Sequence, residues 1–245
     1  MNIDVLAIGA HPDDLELGIG GLLHRLARNG CRIAMLDLTR GEMSTRGTVE
    51  ERAAEAAAAA LILKAVVREN AGLPDGAVAN STEQQRAVIP FLRRFRPKVI
   101  LAPMGGDRHP DHTAAHALVR DANYFAGLGR IETGDPPCRA PSILYYFPYY
   151  DVIPPAFVVD ISEDFAAKEA ALKAHASQFF NPDYPGSPTM ISSARFWHTI
   201  ETRAAYWGGR IGVDYAETLY ADGPVSLDIL SSWMSFLPSP SREKE

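Results

Sequence analysis

The amino-acid sequence predicts an α/β protein: a single-domain, Rossmann-like, mostly parallel sheet flanked by helices on both faces. Apolar runs rich in β-branched residues recur along the first half, and the stretches between them repeat apolar residues with helical spacing. Capping residues, glycine and proline stand where the predicted helices begin and end. Such alternation requires right-handed crossovers, so the strands run parallel and ligands bind outside their carboxyl ends.

The first helix is predicted from about Leu15 to Arg28, directly after the first apolar run. It ends at Asn29-Gly30, where a glycine suits the left-handed conformation of a helix C-cap. The second apolar run begins at once, as expected when a helix returns the chain to the sheet. The four strands predicted in this half are Ile3–Ile8, Arg32–Leu38, Val66–Arg68 and Val99–Ala102.

Capping residues mark two more helices between these strands. The segment Thr48-Val49-Glu50-Glu51 has the spacing of a capping box, which opens an alanine-rich helix through about Leu63. Ser81 with Gln84 opens another helix in the same way, and that helix extends through Phe95. Each of these helices is followed by an apolar strand, as the alternating fold requires.

Beyond about Gly129 the pattern loosens into proline-rich loops, which we expect to form the rim of a pocket. Short strands are predicted at Ile143–Phe147 and Phe157–Ile161. Helical patterns extend from Ser162 to about Phe179 and from Ile191 to Tyr206.

Composition limits the class of protein. The 245 residues, 47% hydrophobic and 22% charged, suffice for one large domain, assigned to residues 1–238, with a polar and disordered tail at 239–245. With 24 basic and 30 acidic residues the net charge is −6, which argues against nonspecific nucleic-acid binding. No signal peptide or membrane-length apolar run is found, so no membrane partner is expected. Only Cys31 and Cys138 occur, which favours a reduced, cytoplasmic protein.

Two short clusters of histidine and aspartate follow apolar strands. One is His11-Pro12-Asp13-Asp14, after the first strand, and the other is His109-Pro110-Asp111-His112, after the fourth. Loops that leave neighbouring parallel strands open over the same crevice. A catalytic zinc ion takes three protein ligands and leaves one position for water. The two clusters therefore predict a split metal site formed by His11, Asp14 and His112.

Simpler interpretations of these residues exist. A lone His-x-x-Asp is often only a helix cap or a surface pair, and Asp13 could cap the helix that follows. The second cluster favours a ligand set over this reading. The glycines that follow the first cluster invite a dinucleotide-binding interpretation, but the Gly-x-Gly-x-x-Gly pattern that starts at Gly18 fails because Leu23 occupies the third glycine position.

Further motifs accompany the two clusters. They are Gly9-Ala10 before His11, Glu16 and Gly18 after Asp14, Thr39-Arg40-Gly41-Glu42, Arg52 with Glu55, Thr45-Arg46-Gly47-Thr48, Gly72-Leu73-Pro74-Asp75-Gly76 and Ser177-Gln178-Phe179. Together these segments resemble the zinc-dependent N-acetylglucosaminyl deacetylases of the PIG-L or LmbE-like family. Within that family the chain is most similar to the deacetylases of bacillithiol biosynthesis, and the resemblance covers most of its length.

The resemblance implies a hydrolytic deacetylation that releases acetate and a free amine. Asp13 would be the general base for the attacking water, and His109 would stabilise the oxyanion or protonate the leaving amine. Asp111 would orient His109. Zn²⁺ is the expected metal, although iron and cobalt tolerate the same ligands. The implied ligands are His11, Asp14 and His112.

The bacillithiol subgroup acts on N-acetylglucosaminyl L-malate, so a small-molecule amino sugar is the expected partner. Arg46 and Arg108 lie beside the two clusters, and a guanidinium group suits the malate carboxylates, although both could simply face solvent. The alternatives are a deacetylase of N-acetylglucosamine, chito-oligosaccharides or another amino-sugar conjugate, and a non-catalytic metal- or sugar-binding module. The resemblance also implies a homo-oligomer, for which a hexamer is one form.

Overall fold

The computed structural model describes residues 1–226 and residue 237. Its strands are β1 (Val5–Gly9), β2 (Ile33–Thr39), β3 (Val67–Leu73), β4 (Val99–Pro103), β5 (Ser142–Tyr146), β6 (Phe157–Asp160) and β7 (Ala216–Leu219). Its helices are α1 (Asp14–Arg28), α2 (Val49–Ile62), α3 (Thr82–Phe95), α4 (Pro110–Ala126), α5 (Phe165–Ala174) and α6 (Ala194–Ile211). The predicted tail at 239–245 and the predicted domain end at residue 238 lie outside these residues.

The main sheet has five parallel strands in the order β3-β2-β1-β4-β5, which confirms the predicted Rossmann-like architecture. Strand β1 pairs with β2 on one side and with β4 on the other, so the chain order reverses between β1 and β4. A crevice opens at such a reversal, outside the carboxyl ends of the strands. The loops after β1 and β4 carry the two histidine clusters, and the topology therefore places them side by side.

Alternate residues of β1 pack into two separate cores, as expected for a sheet covered on both faces. Leu6 and Ile8 belong to the core that α3 and α4 cover. Val5 and Ala7 belong to the core that α1 and α2 cover. All five residues of β1 are buried, and this burial explains why the strand reads as a continuous apolar run.

The predicted helix caps are confirmed. Thr48 Oγ1 accepts the N–H of Glu51 at 3.1 Å, and the Thr48 N–H donates to the Glu51 carboxylate at 2.7 Å. Ser81 Oγ accepts the N–H of Gln84 at 3.2 Å. Both helices begin one residue after the cap, where these side chains satisfy donors that the first helical turn leaves unpaired.

In the second half of the chain, the helices and strands differ from those predicted from the sequence. Helix α5 ends at Ala174, not near Phe179, because the chain turns away after it: Ser177 donates its N–H and its hydroxyl to the Glu55 carboxylate, each at 2.7 Å. Strand β7 was not predicted. It pairs antiparallel with β6 in a second, two-stranded sheet, and a bridge between Tyr145 and Tyr220 connects this sheet to β5.

Helix α6 begins and ends later than predicted. The Ser193 hydroxyl accepts the N–H of Phe196 at its start, and Gly212 ends it with φ of 74° in the left-handed region. In the part of the chain that the structure describes, no helix combines the length and apolar character needed to cross a bilayer.

The glycines of α1 serve close packing. A Cβ at Gly18 would lie 2.3 Å from the Tyr146 ring, and a Cβ at Gly21 would lie 2.6 Å from Ile161. The absence of these methyl groups lets α1 approach β5 and the segment after β6 closely. The glycine pattern that suggests a dinucleotide turn is therefore explained by helix packing.

A buried arginine joins the start of α1 to the sheet. Arg68 of β3 donates to Glu16 of α1 at 2.5 Å and, through Nε and Nη2, to both oxygens of Asp37 of β2 at 2.8 and 2.9 Å. Burial by itself would raise the pKa of Glu16, but the Arg68 charge, with His175, outweighs it and lowers that pKa to about 2. Glu16 lies two residues after Asp14, so this ion pair also fixes the turn that carries the predicted metal ligand.

We expect Gly21→Ala to destabilise the fold by roughly 1–3 kcal/mol relative to Gly20→Ala, because the new methyl group overpacks the core beside Ile161. Gly20→Ala is the matched control, since its Cβ would meet only Lys168, at 3.4 Å, and alanine favours the helix. Urea unfolding of both variants measures the difference. Equal stabilities would contradict the packing role of Gly21.

Arg68→Met should destabilise the protein by about 3–5 kcal/mol, because it leaves two buried carboxylates without their cation. Arg94→Met is the matched control: Arg94 pairs with Glu69 at the surface, where the side chains are 45% and 32% exposed, and such a pair contributes about 0–1 kcal/mol. Thermal and urea unfolding compare the two variants. A similar small loss in both would show that the buried ion pair does not anchor α1.

Candidate metal centre and active-site cleft

The three predicted ligands converge around Asp14. Asp14 Oδ1 lies 3.1 Å from His112 Nε2, and Asp14 Oδ2 lies 3.4 Å from His11 Nδ1. The two imidazole ring centroids are 5.4 Å apart. The backbone N–H of His11 also donates to Asp14 Oδ2 at 2.8 Å, which fixes the turn between strand and helix. The structure thus brings together His11, Asp14 and His112 from two loops that are distant in sequence.

These residues fit a divalent metal ion. His112 is fully buried, and neither of its ring nitrogens makes a hydrogen bond of acceptable geometry, although Asp14 and Asp107 oxygens each lie 3.1 Å away. A buried nitrogen that faces a carboxylate oxygen without hydrogen-bond geometry is what we expect of two ligands aimed at a shared cation. Two imidazoles and one carboxylate are also a common ligand set for zinc.

The second nitrogen of each histidine ring faces a further carboxylate. His11 Nε2 lies 3.0 Å from Asp75 and 3.3 Å from Asp111, while His112 Nδ1 lies 3.1 Å from Asp107. Histidines that bind metal usually donate the other ring N–H to such a group, and His11 Nε2 makes a hydrogen bond of this kind with Asp75. Burial lowers the pKa of His11, but these carboxylates and Asp14 outweigh it and raise the pKa well above its usual value. The centre is therefore strongly negative and suited to a cation.

Among the residues that the structure describes, two groups of side chains hold their potential ligand atoms within 4.8 Å of one another. His11 belongs to both groups, because its two ring nitrogens face different sets of neighbours. One group combines His11 with His109 and His112, so His109, for which a catalytic role was predicted, takes the place of the predicted ligand Asp14 in this group. The other combines His11 with Asp75 and Asp111.

Asp111 has different partners from those predicted. Its carboxylate accepts the N–H groups of Gly76 at 2.8 Å and Val78 at 3.3 Å and faces His11. Only the backbone of Asp111 reaches His109, because its N–H donates to His109 Nδ1 at 3.2 Å. Asp111 therefore connects the loop after β3 to His11, and its side chain does not orient the His109 ring.

Asp13 does not cap α1, and the simpler interpretation of this residue is wrong. Its side chain makes no capping hydrogen bond, and its carboxylate lies 3.3 Å from Arg52 Nη2. Burial raises the pKa of Asp13 in spite of the Arg52 charge. Asp13 lines the cleft together with the predicted ligand His11.

Arg52 holds the turn around Asp13 in place. It donates to the carbonyl oxygen of Gly41 at 3.0 Å and to that of Pro12 at 3.3 Å. A Cβ at Gly41 would lie only 1.7 Å from Arg52 Nη1, and Gly41 adopts a φ of 68°, so glycine is required at this position.

An open cleft with a volume of about 220 Å³ lies above the centre. Its wall combines residues of both loops with residues from the second half of the chain, where the rim was predicted. The side chains that line it include His11, Asp13, Met43, Ser44, Arg52, Asp75, His109, Tyr149, Gln178 and Ile191.

The two predicted substrate arginines occupy different environments. Arg108 is exposed, with its guanidinium carbon 5.2 Å from the centre of the Tyr149 ring, which lines the cleft, although Arg108 itself is not among the lining residues. Arg46 is buried: its Nε donates to the carbonyl oxygen of Ser177 at 2.6 Å, and its guanidinium group packs on Tyr184. Arg46 is not among the residues that line the cleft, and the structure gives it the role of supporting the Ser177 loop.

Sequence reasoning assigned no role to Asp75 or Asp107. Asp107 stands two residues before His109, and Asp75 lies in the loop that follows β3. The third strand was predicted to end at Arg68, whereas β3 ends at Leu73, so the strand-end signal that identified the two histidine clusters did not point to Asp75.

Known proteins with similar sequences are deacetylases or belong to a family named for de-N-acetylation. The profile of the PIG-L family, described as GlcNAc-PI de-N-acetylase, matches residues 6–123. A diacetylchitobiose deacetylase of Thermococcus kodakarensis is 29% identical over 87% of this chain and 80% of its own length. An uncharacterized deacetylase of Escherichia coli, YaiS, is 32% identical over 71% of this chain and 90% of its own length.

A solved structure shares the whole architecture. The structure of a conserved protein from Thermus thermophilus is 40% identical and covers 91% of this chain and 96% of its own, with a TM-score of 0.83. The sequence matches, the shared fold and the residues of the cleft all lead to the same assignment. The chain belongs to the PIG-L family of N-acetylglucosaminyl deacetylases.

Proposed function

We propose that this protein is a metal-dependent hydrolase that removes the acetyl group from an N-acetylglucosaminyl glycoside, with N-acetylglucosaminyl L-malate as the substrate. The observation that carries the proposal is the placement of Asp13 in the cleft beside the converging side chains of His11, Asp14 and His112. A pure binding site has no need of an additional buried carboxylate. Membership of a deacetylase family supports the same reaction.

The reaction replaces the amide C–N bond by a C–O bond and transfers a proton to nitrogen. When bound, zinc or another divalent ion supplies a Lewis acid that polarises the acetyl carbonyl and acidifies water. Asp13 takes the proton from the attacking water, and Arg52 holds its carboxylate in position. His109 accepts the N–H of Asp111 with Nδ1, so its Nε2–H can donate a hydrogen bond to the developing oxyanion, and the proton that Asp13 takes from water passes to the leaving nitrogen.

The substrate assignment rests on Arg108 and on the resemblance to the bacillithiol subgroup. Arg108 is exposed and packs over Tyr149, which lines the cleft, and a guanidinium group binds carboxylates in a bidentate manner. An N-acetylated chito-oligosaccharide is the second candidate, because the Thermococcus relative is named as a diacetylchitobiose deacetylase. Met43 and Ile191 of the cleft would contact a neutral second sugar through their apolar side chains.

Acetate release from N-acetylglucosaminyl L-malate, N-acetylglucosamine and diacetylchitobiose tests the reaction. We expect a chelator to abolish release and added Zn²⁺ to restore it. Asp13→Asn should lower kcat by about 10²–10⁴-fold without loss of metal, because general base catalysis contributes that much. Glu132→Gln, an exposed position beyond the far end of α4, is the control. Chelator-resistant release, or metal binding without release from any acetylated amino sugar, would contradict the proposal.

Arg108→Ala should raise KM about tenfold for the malate glycoside and leave KM for N-acetylglucosamine unchanged, because a charge-assisted hydrogen bond to carboxylate is lost. Arg130→Ala, an exposed arginine after α4, provides the comparison. Steady-state kinetics on the two substrates measures the effect. An equal change on both substrates would remove Arg108 from aglycone recognition.

A further inference from the structure

One wall of the cleft comes from the loop between β5 and β6. Tyr149 of this loop lies almost parallel to the His112 ring, with an angle of 16° between the planes and 5.7 Å between the centroids. It lines the cleft together with Asp13 and His109. A large side chain without a role in the mechanism above therefore stands beside the reacting groups.

A single arginine of α6 holds this loop. Arg203 binds the Asp151 carboxylate through Nε at 3.0 Å and Nη2 at 2.8 Å. It also donates to three successive backbone carbonyl oxygens, those of Phe147 at 3.0 Å, Pro148 at 3.0 Å and Tyr149 at 3.4 Å. A loop with no regular secondary structure is thus wrapped around one guanidinium group. We call this arrangement the Arg203 clamp.

Asp151 extends the clamp to other elements. Its carboxylate accepts hydrogen bonds from Trp207 Nε1 at 2.8 Å and from the Thr218 hydroxyl at 2.9 Å. Burial tends to raise the pKa of Asp151, but Arg203 outweighs it and lowers the pKa to about 2. The carboxylate is therefore charged at neutral pH, and the backbone on either side of Tyr149 is fixed by α6 and β7.

The Tyr149 hydroxyl has no hydrogen-bond partner among the residues that the structure describes. Two buried tyrosines nearby do have partners: Tyr146 donates to the carbonyl oxygen of Ile8 at 3.0 Å, and Tyr220 donates to Asp151. Tyrosine hydroxyls that lie largely inside a protein usually find such partners. A phenol carries its proton at neutral pH. The Tyr149 hydroxyl is therefore a hydrogen-bond donor that is available to a ligand in the cleft.

We propose that Tyr149 is a substrate-contacting residue, that its hydroxyl donates a hydrogen bond to an oxygen of the bound acetylated sugar, and that Arg203 is the positioning residue that holds it there. This inference rests on the proposed function. Such a clamp would keep the donor in place before substrate arrives, which reduces the entropy lost on binding.

Tyr149→Phe removes only the hydroxyl and tests the contact. We expect kcat/KM for the accepted acetylated sugar to fall roughly 3- to 10-fold, the effect of one neutral hydrogen bond. Binding is measured separately from turnover in the Asp13→Asn variant. Calorimetry should show that adding Tyr149→Phe to this variant weakens the binding of N-acetylglucosamine by a similar factor. Tyr150→Phe, at the exposed neighbouring position, is the matched control and should change neither value.

Arg203→Met tests the positioning role. If Arg203 acts through Tyr149, the loss caused by Tyr149→Phe should be much smaller in the Arg203→Met background than in the natural protein, because the two effects are not additive. Arg203→Lys should recover part of the activity. If Arg203→Met does not fold, Trp207→Phe loosens the clamp at Asp151 and takes its place in the same cycle.

The outcomes are distinguishable. Tyr149→Phe with unchanged kcat/KM and Kd would overturn the hydroxyl contact, while an inactive Asp13→Asn variant would still support deacetylation. Fully additive losses in the double variant would overturn the positioning role of Arg203. Failure of the natural protein to release acetate from any substrate would overturn the proposed function itself.

Discussion

The pairing of β1 with both β2 and β4 is the constraint on which the site depends. It places the loops after β1 and β4 next to each other at the point where the strand order reverses, and each loop carries histidine and aspartate. Asp14 can lie between His11 and His112 only because these two loops open over one crevice. The buried apolar strands therefore determine where the polar centre forms, although they contribute no ligand to it.

Three arginines hold the segments around this centre. Arg68 binds the start of α1 to the sheet, Arg52 holds the turn that carries Asp13, and Arg203 holds the loop that carries Tyr149. In each case a guanidinium group contacts carboxylates or backbone carbonyls that have no partner within a helix or strand. Because a guanidinium group has five N–H donors, it can bind several of these oxygens at once. Loops that would otherwise be adaptable become a preorganised wall, which is a requirement for catalysis by positioning.

Much of the site was predictable because its signals are local. His-x-x-Asp at a strand end, a capping box at Thr48 and apolar runs of strand length each depend on a few neighbouring residues. Asp75 and Arg203 were not predictable in this way, because the partners of each lie on elements that are distant in sequence. The same reason explains the error for Asp111: its nearness to His109 in sequence suggested a contact, whereas its carboxylate points to the loop after β3.

The sequence by itself determined the parallel sheet, the capped helices and the residue types of a metal centre, because periodicity, capping and ligand chemistry are properties of short segments. Only the tertiary structure decided that Asp13 faces Arg52 and does not cap α1, that Arg46 is buried while Arg108 is exposed and packs over Tyr149, and that Tyr149 presents an unpaired hydroxyl among the residues described. Those outcomes depend on the direction of a side chain and on what packs against it. Neither is fixed until distant segments meet.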